Sequence, residues 1–281
     1  MPIVLLVRHG HSTANAEGVL SGRMPGVSLT ERGVTEARAA ADALAATPLA
    51  RIVSSPMERC LATAEAIAGA QAVTASPTPP DPSASPVPGS SPDRPVGWVP
   101  PAVETDDRLV ECGYGAWTGR ALKDLVSEPL WRTVQSQPSA ARFPDAEAYA
   151  AESLAEVSAR AVAAVRALDA EVEARHGADA VWAAVSHGDV IKAILADAAG
   201  VHLDQFQRFV VEPGSVAAVR YTAYRPFLLG VNTDPARMAA LVRSTGHRAD
   251  GEATPGGTAQ EAPPEAPEAP EARTVSEATA S

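Results

Sequence analysis

The chain has 281 residues, 46% of them hydrophobic but only 4% aromatic, and a formal net charge of −11. That size allows one large domain or two small ones with an aliphatic, Ala-rich core. The acidity argues against nucleic acid as a partner, because binding the phosphate backbone needs clustered basic charge. The charge is uneven: residues 249–281 hold seven acids and one base, −6, which leaves −5 for the rest. Cys60 and Cys112 form neither a disulfide framework nor a zinc spacing. The chain enters an apolar strand pattern at Ile3 without a basic leader, and no apolar run approaches about 18 residues. These features predict a soluble cytoplasmic protein with no membrane partner.

Ile3-Val4-Leu5-Leu6-Val7 reads as a buried strand that ends in Arg8-His9-Gly10. In an open α/β sheet, ligands sit beyond the carboxyl ends of strands. A cation, an imidazole and a glycine at such an end suit an anion. A Gly-punctuated loop follows, through Asn15, Gly18, Gly22, Arg23 and Gly26. Thr30 is placed to cap a helix that runs to about Ala46, with Leu29, Val34, Ala37, Ala41 and Leu44 on its apolar face. Arg51-Ile52-Val53 is a second strand, and it runs into Ser54-Ser55-Pro56. Ser55, Pro56 and Glu58 predict a capping box. Arg59 then falls in the first turn of a helix that continues to Gly69. Residues 74–101 hold ten prolines, a composition that cannot build a core, and read as an extended surface insertion.

Order resumes at Val103. Glu111 leads into Cys112-Gly113-Tyr114-Gly115-Ala116-Trp117-Thr118-Gly119, an irregular loop anchored by Tyr114 and Trp117. Short helical patterns at 122–126 and 130–135 precede a long amphipathic helix predicted over 148–176. Leu154, Val157, Ala161, Val165 and Leu168 make its apolar face. Residues 180–185 form another buried strand, which ends in Ser186-His187-Gly188-Asp189 and is followed by a helix that Gly200 stops. Residues 216–221 and 227–231 look like a late strand pair. From residue 249 the Pro/Glu/Ala-rich tail is expected to be disordered. The organisation predicted is one catalytic domain over 1–248, carrying the insertion, and a tail over 249–281.

Strands alternating with helices imply an α/β fold with a mostly parallel sheet, so the three polar strand ends share one edge. That edge gathers Arg8, His9, Arg59 and His187 with helix N-termini, and Glu111 adds one acid. Such a pocket suits a phosphate monoester dianion.

In the same order, these junctions resemble the motifs of the histidine phosphatase superfamily, the phosphoglycerate mutase-like fold. Arg8-His9-Gly10 is similar to its nucleophile motif, and Asn15 and Leu29-Thr30-Glu31-Arg32-Gly33 to the segments after it. Ser54-Ser55-Pro56 with Arg59, and Thr63-Ala64-Glu65, resemble the second-arginine motif. Glu111 before Gly115-x-Trp117-x-Gly119 resembles the acid motif, and Ser186-His187-Gly188 the second histidine motif. The resemblance covers residues 3–231 apart from the insertion. It implies a three-layer α/β/α architecture and a covalent phosphohistidine on His9, without metal or other cofactor.

On that basis His9, Glu111 and His187 are the expected catalytic residues. Arg8, Asn15, Arg59 and His187 are expected to bind phosphate. Arg23 and His11 are candidate substrate contacts at the rim. One ring nitrogen of His9 is expected to donate to a backbone carbonyl, leaving the other free to attack. Glu111, as general acid, is expected to be partly buried. His11, His187 and Asp189 beside His9 could also imitate a metal cluster. Glycolytic phosphoglycerate mutases carry an arginine beside the acid and an arginine pair further on. Here Cys112 follows Glu111 and only Arg132 lies near the pair. The reading is therefore a metal-independent phosphatase acting on a small phosphomonoester. A phosphomutase is the rival within the family, and an inactive phosphate-binding module the rival outside it. Truncation after Arg248 is expected to leave fold and activity intact. A large activity loss in the purified truncated protein would give the tail a function.

Overall fold

The computed structural model describes residues 2–45, 47–75 and 98–232. Its elements, in chain order, are β1 (Ile3–Arg8), α1 (Thr13–Glu17), α2 (Glu31–Leu44), β2 (Leu49–Ser54), α3 (Glu58–Ala75) and β3 (Val103–Thr105). They continue with α4 (Leu122–Leu125), α5 (Pro129–Ser136), α6 (Leu154–His176), β4 (Val181–Ser186), α7 (Gly188–Ala198), β5 (Val216–Arg220) and β6 (Phe227–Gly230). The six strands form one sheet in the order β3-β2-β4-β1-β5-β6. β3, β2, β4 and β1 run parallel, and β5 and β6 are antiparallel. The fold is the expected α/β class with a mostly parallel sheet.

Both faces of the sheet are covered, which explains why its strands read as continuous apolar runs. Side chains alternate between faces along a strand. Leu5, Val7, Ile52, Ala183 and Val185 pack with Ala40, Ala41 and Leu44 of α2 and Cys60, Ala64 and Ile67 of α3. Val4, Leu6, Val53, Trp182 and Ala184 face the other way, against Val157, Ala161, Val165 and Leu168 of α6 and Ile191 and Ile194 of α7. The three layers bring the ends of β1, β2 and β4 together. Arg8 pairs with Ser186, and Ser54 with Val185. The ladder continues past the strands through His9 N–H to Ser186 O at 3.0 Å and Ser55 N–H to Val185 O at 2.9 Å.

Several local expectations change. Thr30 does cap α2, accepting from Gly33 N, but Val34 is 38% exposed. The buried stripe is Gly33, Ala37, Ala40, Ala41 and Leu44. α3 starts at Glu58, and the Met57 carbonyl accepts its first bonds, from Cys60 and Leu61 N–H. The capping box at Ser55 does not form: its N–H donates to Val185 O, and its hydroxyl, turned to His187, accepts only a long bond of 3.4 Å from Met57 N–H. Gly69 does not end α3, which runs to Ala75, two residues into the predicted insertion. Near the insertion's other end, Trp98 Nε1 donates to Leu49 O at 3.0 Å. The intervening residues 76–97 and the predicted tail lie outside the described residues. The long helix starts at Leu154 rather than Ala148, with Ser153 and Glu156 forming its capping box. Residues before it are drawn into bridges, Tyr114 with Ala151 and Arg142 with Ser153. The short α1, capped by a Ser12/Asn15 box, was not expected.

Two glycines behave oppositely. Gly115 adopts φ +50°, and a Cβ there would fall onto the Pro144 carbonyl. Gly69 is exposed within a helix, and a Cβ there would meet nothing within 4 Å. Gly69→Ala is expected to stabilise the protein by roughly 0.5–1 kcal/mol, the helix-interior cost of glycine. Gly115→Ala is expected to destabilise it, and by more than that gain. Urea unfolding of the two variants checks both signs.

Candidate active site

The site begins where β1 stops. Arg8, His9, Arg59 and His187 are all buried at the shared strand edge, and Glu111 is 4% exposed. Gly10 and Gly33 let the β1 end and the start of α2 touch. A Cβ on Gly10 would fall on the Gly33 carbonyl, and one on Gly33 on the His11 carbonyl. From α3, Thr63 Oγ1 accepts Gly10 N–H at 3.2 Å and donates to Arg59 O at 2.9 Å. Thr63 lies one helical turn after Arg59, so a single face of α3 clasps the loop after β1.

The ring roles follow from their partners. His9 Nδ1 lies 2.8 Å from Gly10 O. A carbonyl can only accept, so Nδ1 carries the proton and Nε2 keeps a lone pair. His187 Nδ1 lies 3.2 Å from Arg59 Nη2, a group that can only donate. Its proton therefore sits on Nε2, which donates to Ser55 Oγ at 2.9 Å. The two imidazoles meet edge to face, with ring centroids 5.2 Å apart. Burial, then Arg59 and Arg8, hold His9 well below the usual histidine range. Burial, then Arg59 and His9, do the same to His187. Both are neutral at pH 7.

Arg59 Nη2 also donates to Gly22 O at 2.9 Å, while its buried Nη1 has no hydrogen-bond partner among the described residues. A buried guanidinium N–H is costly to leave unmatched. Such a donor suits an anionic oxygen. Arg8 Nη1 donates to Val211 O at 2.7 Å. Asn15 uses its amide oxygen to accept from Ser12 N and Oγ, which leaves the amide nitrogen as its donor. His11 is held against the cap of α2. Its N–H donates to Glu36 Oε2, and its Nδ1 lies 3.0 Å from Thr30 Oγ1.

Glu111 Oε2 lies 3.8 Å from His187 Nδ1, and Oε1 accepts Cys112 N–H at 2.8 Å. Burial, then the charge of Asp189, push its carboxyl up to about 7, against Cys112 N–H, Arg59 and Arg8. The loop that carries it is braced by residues that the motifs did not single out. Arg23 Nε and Arg160 Nη2 both donate to Glu111 O. The same two arginines and Gly113 N–H converge on the Glu152 carboxylate. Although burial works the other way, those bonds from Arg160 and Gly113 hold the Glu152 carboxyl below its usual range. Arg23, expected at the substrate rim, is thus tied into the frame of the acid loop. Glu152 precedes the Ser153 cap of α6 and Arg160 lies within the helix eight residues on, a separation that the i,i+3 and i,i+4 pairing of helical patterns does not link.

Among the described residues, no three His, Cys, Asp or Glu side chains are grouped to hold a metal ion. No described helix is long and apolar enough to cross a membrane. Cys60 is a free, buried thiol whose Sγ donates toward Ser186 O at 3.6 Å, and burial pushes it up to about 12.

Fold and site together define an α/β protein with a cationic, histidine-bearing pocket at one sheet edge. The chain matches the family model of the histidine phosphatase superfamily (branch 1) over residues 4–79 and 97–234, and it belongs to that family. It is 29% identical over 127 residues to the 2,3-bisphosphoglycerate-dependent phosphoglycerate mutase of Thermoplasma acidophilum, a match that covers 45% of this chain and only half of that mutase. It is 27% identical over 232 residues to phosphoserine phosphatase 1 of Hydrogenobacter thermophilus, covering 82% of this chain and 91% of that protein. Its fold is similar to that of a mycobacterial glucosyl-3-phosphoglycerate phosphatase solved with VO3. The TM-score is 0.64 at 20% identity, over 83% of this chain and all of that one.

The raised Glu111 carboxyl has a consequence for stability. A carboxyl whose folded value, about 7, exceeds its ordinary 4.5 stabilises the fold fully below about 4.5. That contribution is lost as pH rises through 7. Glu111→Gln, which stays neutral, is expected to match the parent's Tm near pH 4.5 and to exceed it by several degrees at pH 8.5. Thermal melts at the two pH values check this. A difference that does not change with pH contradicts the raised carboxyl.

Proposed function

We propose that the protein is a metal-independent phosphatase that hydrolyses a small phosphomonoester through a phosphohistidine on His9. The observation that carries this reading is the tautomer of His9. With Nδ1–H committed to Gly10 O, Nε2 presents a lone pair in a pocket that also holds Arg59, His187 and Glu111. Family membership supports the same reaction class. So do the names of relatives that act as phosphoserine and glucosyl-3-phosphoglycerate phosphatases.

In the first half-reaction, His9 Nε2 bonds to phosphorus as the bond to the leaving oxygen breaks. Glu111 gives its proton to that oxygen. The transition state is loose and spreads charge over three equatorial oxygens. Arg8, the free N–H of Arg59 and the Asn15 amide meet that charge. Burial and then the arginines keep His187 neutral; an arriving dianion offsets the arginines, so His187 Nδ1 takes up a proton from solvent as the substrate binds, joins them as a donor, and gives that proton back to solvent when phosphate leaves. In the second half-reaction, the Glu111 carboxylate takes a proton from water as its oxygen bonds to phosphorus and the N–P bond breaks. Phosphate leaves, and Glu111 is again an acid. Residues 1–248 form the catalytic unit in this reading. Two buried free thiols fit a reducing compartment, the cytoplasm.

Full-length protein incubated with labelled phosphomonoesters and EDTA, then quenched in alkali, is expected to carry acid-labile label on His9 and to release phosphate. Absence of both overturns the reading. Label passed to a second hydroxyl compound without phosphate release makes the protein a phosphomutase. Phosphate binding without label makes it a binding module. Glu111→Gln is expected to lower kcat on an alkyl phosphate by about 10²–10⁴-fold. The loss on p-nitrophenyl phosphate, whose leaving group needs no proton, is expected to be far smaller. Equal losses remove Glu111 from the acid role.

A further inference from the structure

Beneath the pocket lies a buried acid that the reaction above does not use. Asp189 stands in the first turn of α7, two residues after His187, and is 1% exposed. A charge this deep persists only with partners. Its Oδ2 accepts the Tyr114 hydroxyl at 2.8 Å. Lys192 Nζ, one turn further along α7, lies 3.9 Å from Oδ1 and donates to Gln207 Oε1 at 2.9 Å. Tyr114 is itself fully buried, three residues after Glu111 in the same loop. The helix that begins at His187 therefore grips the loop that carries Glu111 through one side-chain bond.

We propose that Asp189 is a positioning residue for the acid–base step, acting on Glu111 through Tyr114 and through its own negative charge. The proposal rests on the reading of Glu111 as the general acid. A pocket built to hold a phosphate dianion is lined with cations, and cations drive any carboxyl among them to ionise. Glu111 is faced by Arg8 from the end of β1, Arg59 from α3, and His187 and Asp189 from α7. Arg23 and Arg160 reach only its backbone carbonyl, and Cys112 N–H binds its Oε1. Apart from burial, Asp189 is the leading influence that favours the protonated acid. A general acid in a cationic site needs an anion behind it, and Asp189 is placed to be that anion. Lys192 and the Tyr114 hydroxyl are its partners; the charge of Lys192 also acts on Glu111, in the sense opposite to Asp189.

Asp189→Asn keeps an acceptor for Tyr114 and removes the charge. The test is kcat/KM against pH for an alkyl phosphate and for p-nitrophenyl phosphate, with phosphohistidine formation followed in parallel. The alkaline limb for the alkyl phosphate reports the acid of the free enzyme, and it is expected to move at least about half a pH unit to lower pH. The ratio of alkyl to aryl activity at pH 7.5 is expected to fall severalfold. Tyr114→Phe, which cuts the bond but keeps the charge, is expected to lower the alkyl rate without moving the limb. An unmoved limb in Asp189→Asn, or equal losses on both substrates, overturns the proposal. Should that variant unfold because Lys192 loses its counter-charge, Asp189→Asn/Lys192→Met removes both charges and carries the same expectations. If the parent protein forms no phosphohistidine, or if Glu111→Gln shows no dependence on the leaving group, it is the reading of Glu111 that has failed, independently of any result at position 189.

Discussion

Two guanidinium groups, Arg8 and Arg59, are buried at one edge of a sheet, and the rest of the structure is arranged around that burden. Desolvating a cation is costly unless the fold returns its hydrogen bonds. Arg8 meets the Val211 carbonyl, drawn in by the turn before β5. Arg59 meets the Gly22 carbonyl and the His187 ring. Arg59 is thus oriented by dipoles, with no carboxylate among its hydrogen-bond partners in the described residues. A carboxylate there would neutralise the charge that an anionic ligand needs. Dipoles hold the guanidinium in place and leave its charge available.

The imidazoles take their states from burial first and then from the same cations. Arg59 presses on both rings, and each remains neutral with its proton on the nitrogen turned away from Arg59 or toward a carbonyl. Neutrality leaves His9 Nε2 the lone pair that the proposed reaction needs. In the resting protein it makes His187 an acceptor, which steadies Arg59 and donates to Ser55. The pocket is therefore preorganised for charge that arrives with a ligand. Electrostatic preorganisation of this kind avoids reorganising the site during the reaction.

Much of this was legible in the sequence, because its signals are local. An apolar run that ends in Arg-His-Gly or Ser-His-Gly announces a strand and its terminus together, and parallel topology then places such ends side by side. The tautomer of His9 could be anticipated from the needs of a nucleophile. The errors arose where long-range pairing overrode local pattern. Residues 148–153 have helical composition, yet Ala151 bridges to Tyr114 and the helix waits for the Ser153 cap. Ser55 has the right neighbours for a cap, but Val185 O takes its N–H and His187, 132 positions away, turns its hydroxyl. The pairing of Arg23 with Glu152, 129 positions away, was likewise not foreseen. No periodicity encodes such pairs, since they exist only once the layers have closed.

The braces that escaped pattern reading share one target. Arg23 and Arg160 hold the Glu111 carbonyl and Glu152 holds Gly113 N–H, while Asp189 holds the Tyr114 hydroxyl. Gly113 and Gly115 allow the loop to press against residues 144–151, where any Cβ would collide with the backbone. So much framing for one carboxyl has a physical reason. His9 and the arginines are fixed by the sheet edge and by α3, but Glu111 comes from an irregular loop with no ladder to hold it. Proton transfer demands hydrogen-bond distance from the leaving oxygen, so a loop-borne acid is the part of such a site most exposed to misplacement. Rigidity that secondary structure does not provide is supplied here by the half-buried ion pairs of Glu152 with Arg23 and Arg160 and by the buried bond between Tyr114 and Asp189.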